Sequence, residues 1–156
     1  MASSPSSSSS PAPADAKRKY FSVEEANKAL PLVKAIVGDI VKQFQAVNEL
    51  GQRLAAVSGD KRRRKSDDVY SDEVAHSRSE LELEETKLVT FIDELTALGV
   101  ELKGPDDGLC DFPSIRDGRE VYLCWRLGEP EVLHWHELHT GVAGRKPLGA
   151  MVDRKS

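Results

Sequence analysis

The chain has 156 residues, 39% of them apolar and 31% charged, with 22 Lys and Arg against 26 Asp and Glu for a formal charge of −4. That length suits one domain with a tail, and the acidic balance argues against a general nucleic-acid binder. No apolar run approaches the roughly 18 residues of a membrane span, no charged start leads into an apolar stretch at the N-terminus, and two cysteines make no disulfide framework, so a soluble cytoplasmic protein without membrane association is expected.

Residues 1–16 hold seven serines and three prolines. They offer nothing to bury, so the entropy of ordering is unopposed and 1–19 reads as a disordered Ser/Pro-rich tail. The folded part opens at Ser22-Val23-Glu24-Glu25, a capping box in which the Ser22 hydroxyl accepts from the third helical amide and Glu25 reaches back. Ala26, Leu30, Val33, Val37, Ile40, Phe44, Val47, Gly51 and Leu54 then follow alternating steps of four and three, a heptad seam with one glycine gap. Pro31 removes an amide donor early in this run, so a kink or a break is expected there, and the helix should stop near Val57.

A basic run at 61–65 forms the tip, and a second helix is expected over 69–98, with Gly99 as its C-terminal cap. Its seam is Val74, Ser77, Leu81, Glu84, Leu88, Phe91, Leu95 and Leu98; Ser77 and Glu84 weaken the middle, and acids such as Glu80, Glu82, Glu85, Asp93 and Glu94 take the outer face. Two such helices pack as an antiparallel hairpin.

Beyond Gly99 the period becomes two. Short strands are expected at 100–102 and at 109–112, the second stopped by Pro113. Asp117-Gly118 is a hairpin turn signal. The strand at 119–126 sets Val121, Leu123 and Trp125 on one face and Tyr122, Cys124 and Arg126 on the other. A last strand at 131–137 would place Val132, His134 and His136 together, opposite Leu133, Trp135 and Glu137. The expected fold is therefore α+β: a long antiparallel helical hairpin followed by a small, mainly antiparallel β-sheet of three to four strands. One domain spans 20–148, with the hairpin at 22–98, the β-region at 100–137 and a C-terminal tail at 149–156.

Several segments resemble a known family. These are Phe21-Ser22-Val23-Glu24-Glu25-Ala26-Asn27 with Leu30-Pro31, Gly108-Leu109-Cys110-Asp111-Phe112-Pro113, Leu123-Cys124-Trp125-Arg126-Leu127-Gly128-Glu129, Trp135-His136-Glu137 and Gly144-Arg145-Lys146-Pro147-Leu148. Together they look like the domain of unknown function numbered 2203, over 20–148. The resemblance implies no activity and no catalytic residues. Because most of these segments lie in the sheet half, it places a shared function there rather than on the helices.

Chemistry-bearing residues also gather in the β-region. His134, His136 and His139 fall within six residues, with Glu137 among them. Two imidazoles two apart on a strand share a face and can present two metal ligands. His139 and Cys124, the latter on the neighbouring strand, are further candidate ligands, and Glu137 is a ligand, an orienting partner or a general base. Such a set suits a divalent transition metal such as Zn²⁺ or Fe²⁺. The spacing matches H-x-H-x-x-H, but Leu138 stands where the metallo-β-lactamase signature carries an acid.

A second set, Arg126, Arg145, Asp111 and Glu129, reads either as structural ion pairs, with Arg126 clamping Asp111 or Glu129, or as an anion pocket. Cys110 and Cys124 read as buried small apolar residues. The reading adopted is a binding or interaction module with a transition-metal site in the β-region, an unidentified protein partner and self-association through the helices. The alternative is a small, hydrolase-like metal-dependent enzyme using His134, His136 and Glu137.

Overall fold

The computed structural model describes residues 19–58 and 67–149. The expected N-terminal tail up to residue 18, the basic run at 61–65 and the expected C-terminal tail from residue 150 lie outside the described residues.

Helix α1 is Val23–Ser58 and helix α2 is Asp67–Ala97. The capping box closes as expected: the Ser22 amide donates to Glu25 Oε1 at 2.9 Å and the Glu25 amide to Ser22 Oγ at 3.0 Å. Of the kink or break expected at Pro31, the break does not occur: α1 runs through it as one helix of 36 residues. Pro31 faces solvent, so its ring meets no neighbouring element, while Leu30 and Val33 beside it are buried at 3% and 0% exposure. Burial of those flanking side chains outweighs the roughly 3 kcal/mol of a helical proline.

The α2 seam lies where the spacing puts it. It is half-buried at Val74, Leu81, Leu88 and Phe91 and fully buried at Leu95. Glu84, a polar entry in that seam, meets Gln43 of α1, whose Nε2 donates to its backbone oxygen at 2.8 Å and its carboxylate at 2.7 Å. Gly99, at φ +91°, ends the turn after α2.

The sheet has five strands, not three to four: β1 (Glu101–Gly104), β2 (Leu109–Arg116), β3 (Arg119–Arg126), β4 (His134–Glu137) and β5 (Lys146–Pro147), in that spatial order and antiparallel throughout. Strand β5 escapes the sequence pattern because it is two residues long; Leu148, 1% exposed, anchors it, and the Leu148 amide donates to the Leu133 oxygen at 2.8 Å.

Pro113 does not stop β2, which continues to Arg116 with Pro113 opposite Tyr122. The carbonyl of Pro113 accepts from the Phe21 amide at 2.7 Å, so its missing N–H points to the open edge beyond β1 rather than into β3. Ser114 Oγ donates to the Phe21 oxygen at 2.6 Å and supplies the bond that proline cannot make.

The last strand begins at His134 instead of 131. Val132 consequently does not share a face with His136. It lies in the helix-side core, with its amide donating to Asn27 Oδ1 at 2.7 Å.

Residues directly opposite in an antiparallel ladder share a face. One face presents Cys110, Phe112, Leu123 and Trp125 to Leu30, Val33, Val37 and Ile40 of α1 and Leu95 of α2, forming the core. The other face carries Asp111, Cys124, Tyr122, His134 and His136. The helices thus give the sheet one apolar cover and leave its polar face to build a site.

Candidate metal centre

Asp111, Cys124 and His136 come from three neighbouring strands. Asp111 stands opposite Cys124, while His136 stands opposite Tyr122, the next same-face residue of β3. All three are buried, at 2%, 0% and 2% exposure, and their ligand atoms lie within 4.8 Å of one another.

The proton arrangement is constrained. His136 Nδ1 is 2.8 Å from the Glu137 carbonyl oxygen, which can only accept, so Nδ1 carries a proton. Nε2 faces both oxygens of Asp111, at 3.0 and 3.1 Å. A neutral imidazole protonated at Nδ1 would set its Nε2 lone pair against a carboxylate. The contact requires a cation between or upon the two groups: a proton, or a metal ion.

Burial pushes the Asp111 carboxyl above its ordinary value, with His136 opposing that rise by charge and hydrogen bond. Burial also raises the Cys124 thiol to about 11, and nearby Asp111 adds to this while Arg145 opposes it. Cys110, in the core, is raised to about 12 by burial and then by Asp111. Both sulfurs are therefore thiols at neutral pH and not standing nucleophiles. The Tyr122 ring lies 5.4 Å from that of His136 and its hydroxyl donates to Glu101 Oε1 at 2.9 Å, which fences the site on the β1 side.

Of the residues singled out from the sequence, Cys124 and His136 are brought together. His134 is on the same face, opposite Cys124, but outside the trio, with its Nδ1 buried and unpartnered. Glu137 lies on the other face among Arg119 at 3.7 Å, Lys146 at 3.8 Å and His139 at 3.9 Å. His139 is 79% exposed.

The sequence points to Asp111 as an ion-pair residue; the structure joins it instead to the thiol and imidazole. The signal that marks it is local: a carboxylate flanked by Cys110 and Phe112 in a buried strand needs a partner inside the protein.

The expected Arg126 clamp on Asp111 or Glu129 is replaced. Arg145 Nη2 holds both oxygens of Glu129, at 2.7 and 2.8 Å, while Arg126 gives Glu129 only its backbone amide, at 3.0 Å, and sets Nε 3.2 Å from Asp107. The cause is the turn at Glu129, whose own carbonyl is tied to Trp125 Nε1 at 2.9 Å.

Burial pushes the Glu129 carboxyl up, but the Arg145 hydrogen bond, the Arg126 amide and the Arg145 charge together hold it below its ordinary value. A carboxylate lowered on folding contributes stability above its unfolded pKa, and that contribution is lost as pH falls through the lowered value. Glu129→Gln should therefore unfold about 1 kcal/mol more easily than wild type near pH 7, with the gap closing in urea titrations as pH falls through the lowered value.

A family model described as "Uncharacterized conserved protein (DUF2203)" matches residues 19–148. No curated protein and no solved structure matches the chain. No helix among the described residues is long and apolar enough to cross a membrane.

Proposed function

The chain belongs to the DUF2203 family, and from that premise we propose that it is a binding module whose sheet holds one divalent transition metal, of the Zn²⁺ or Fe²⁺ class, on Asp111, Cys124 and His136. The observation that carries this reading is the facing of His136 Nε2 and both Asp111 oxygens across 3.0–3.1 Å while Nδ1 is committed to a carbonyl. Metal-ligating histidines typically donate their other ring N–H to such an acceptor. An oxygen, sulfur and nitrogen donor set suits Zn²⁺ or Fe²⁺, and bonds of about 2.0–2.3 Å in a tetrahedron set ligand atoms roughly 3.3–3.8 Å apart, so the His136–Asp111 pair would open by a few tenths of an ångström to take the ion. Each ligand also falls inside a segment by which the chain resembles the family: 108–113, 123–129 and 135–137.

Three protein ligands would leave a fourth position open, as in catalytic sites. The hydrolase-like reading nevertheless loses its proposed base, because Glu137 is on the opposite face of the sheet. A non-catalytic role is therefore preferred. Free, buried Cys110 and Cys124 suit the cytoplasm. The exposed acids of α2, with Leu83 and Val89 more than half exposed among them, suit self-association or a protein partner through the helices, as a coiled-coil hairpin, rather than nucleic acid.

The test is metal content of the full chain purified without a histidine tag or metal column. About one equivalent of transition metal is expected, or uptake of it from micromolar Zn²⁺, Fe²⁺ or Co²⁺. The Co²⁺ form should show a sulfur-to-cobalt charge-transfer band that Cys124→Ala, a small change in a buried site, removes. No uptake of any of the three ions would end the metal reading.

A further inference from the structure

Asp111, Cys124 and His136 are buried although both helices pack on the other face of the sheet. Part of their cover comes from the chain that links β4 to β5, residues 138–145, which is tied down at both ends. At its start, the Glu137 carbonyl that holds His136 Nδ1 at 2.8 Å also accepts from the Thr140 amide at 3.3 Å and the Thr140 hydroxyl at 3.2 Å. The turn is thus fastened to the same oxygen as the histidine. At its end, Lys146 pairs with Trp135 and lies over that ring, so Arg145, one residue earlier, stands beside His136 and points to the polar face. Arg145 Nη2 reaches both oxygens of Glu129, at 2.7 and 2.8 Å, and Glu129 Oε1 also takes the Arg126 amide at 3.0 Å. The Arg145 side chain therefore runs along the polar face from the level of His136 toward Arg126. Cys124 and His134 face each other between those two levels.

Little else holds this link. None of residues 138–145 is buried, Leu138 and Val142 are exposed, and the 3₁₀ turn Gly141–Gly144 places no side chain in the core. Its flanks differ, with His136 and Leu148 fully buried. The anchor across the sheet is also fixed, because the Glu129 carbonyl accepts from Trp125 Nε1 and the Glu129 amide donates to the Arg126 oxygen, both at 2.9 Å. A segment with few buried apolar contacts opens at a lower free energy than the whole domain.

We propose that residues 138–145 form a gate over the polar face and that the Arg145–Glu129 ion pair is its latch. Closed, the gate keeps solvent from Cys124 and His136. Open, it admits an ion while β4, Leu148 and the helix-side core stay in place. What the gate admits rests on the metal reading; its opening does not, and is tested without the ion.

The two thiols supply the test, since they lie on opposite faces of one sheet: Cys110 in the helix-side core, Cys124 on the polar face. The metal-free full chain is treated with N-ethylmaleimide in 0 to 2 M urea, and the labelling rate of each cysteine is read from its peptide by mass spectrometry. Cys110 should label only through global unfolding, with a rate that climbs steeply with urea. Cys124 should label at least tenfold faster and almost independently of urea, because opening the gate exposes little surface. Arg145→Gln and Glu129→Gln should each speed Cys124 about tenfold and keep its flat urea dependence.

A Cys124 rate that climbs with urea as Cys110 does would mean that this face opens only when the domain unfolds, and would overturn the gate. So would an unchanged Cys124 rate in Arg145→Gln. A chain whose Cys124 labels through the local route but which takes up no metal keeps the gate and ends the metal reading. One that takes up metal while Cys124 follows Cys110 does the reverse.

Discussion

His136→Phe should lower the unfolding free energy by about 3–5 kcal/mol at neutral pH. The phenyl ring fits an imidazole site and can pack on Tyr122, 5.4 Å away in the wild type, so lost volume is a minor part of the effect. The cost comes from Asp111, which is 2% exposed and would lose the group that now meets both its oxygens. Burial already holds that carboxyl above its ordinary value. A carboxyl raised on folding contributes stability below its unfolded pKa and loses it as pH rises through the folded value. The variant should accordingly regain stability on mild acidification, as Asp111 takes up a proton.

Adding Asp111→Leu to His136→Phe should recover most of the loss, since removing both charged partners is far cheaper than removing one. Urea denaturation of the two single variants and the double variant measures this directly. A double variant as unstable as His136→Phe would show that the pair is not the source of the cost. Zn²⁺ at about 100 times its dissociation constant should stabilise wild type by about 2.7 kcal/mol and leave the double variant unchanged.

Gly108→Val should destabilise the fold by about 3 kcal/mol or more and lower Tm on the order of 10 °C. Gly108 has φ +75°, and a Cβ built there would stand 2.7 Å from Leu127 Cβ and 3.0 Å from Val37 Cγ1. The backbone cannot yield easily. The Gly108 amide donates to Gly104 at 2.8 Å and its carbonyl accepts from Leu127 at 3.1 Å. Val37 belongs to the buried stripe of α1, so the missing side chain is what lets the helix approach the start of β2. Gly118 separates the two causes: its φ is +77° but open space surrounds it. Gly118→Val should cost only about 1–2 kcal/mol of backbone strain, and thermal unfolding of both variants compares strain alone with strain plus overlap.

The capping box at Ser22 and Glu25, the two seams, and the alternation of Leu123 and Trp125 against Tyr122 and Cys124 were legible because each depends on neighbours within a turn or a pleat. Local rules failed where distant packing outweighed them. Pro31 sits inside an unbroken helix because Leu30 and Val33 are buried beside it, and Pro113 sits inside β2 because its missing donor faces the edge where Phe21 and Ser114 complete the bonding.

The candidate site divides the same way. Its residue types were visible in the sequence, down to Cys124 and His136 as partners, and so was the sharing of one face by His134 and His136, because side-chain direction along a strand is a property of the chain itself. That Asp111, 25 residues from His136, completes the trio, that Glu137 meets Arg119 and Lys146, and that Arg145 rather than Arg126 clamps Glu129 were decided only by strand register and by the path of the chain after β4. Register is a contest between whole strands, in which burying Phe112, Leu123 and Trp125 against α1 carries more free energy than any single polar contact. The polar face takes whatever alignment that apolar choice leaves it.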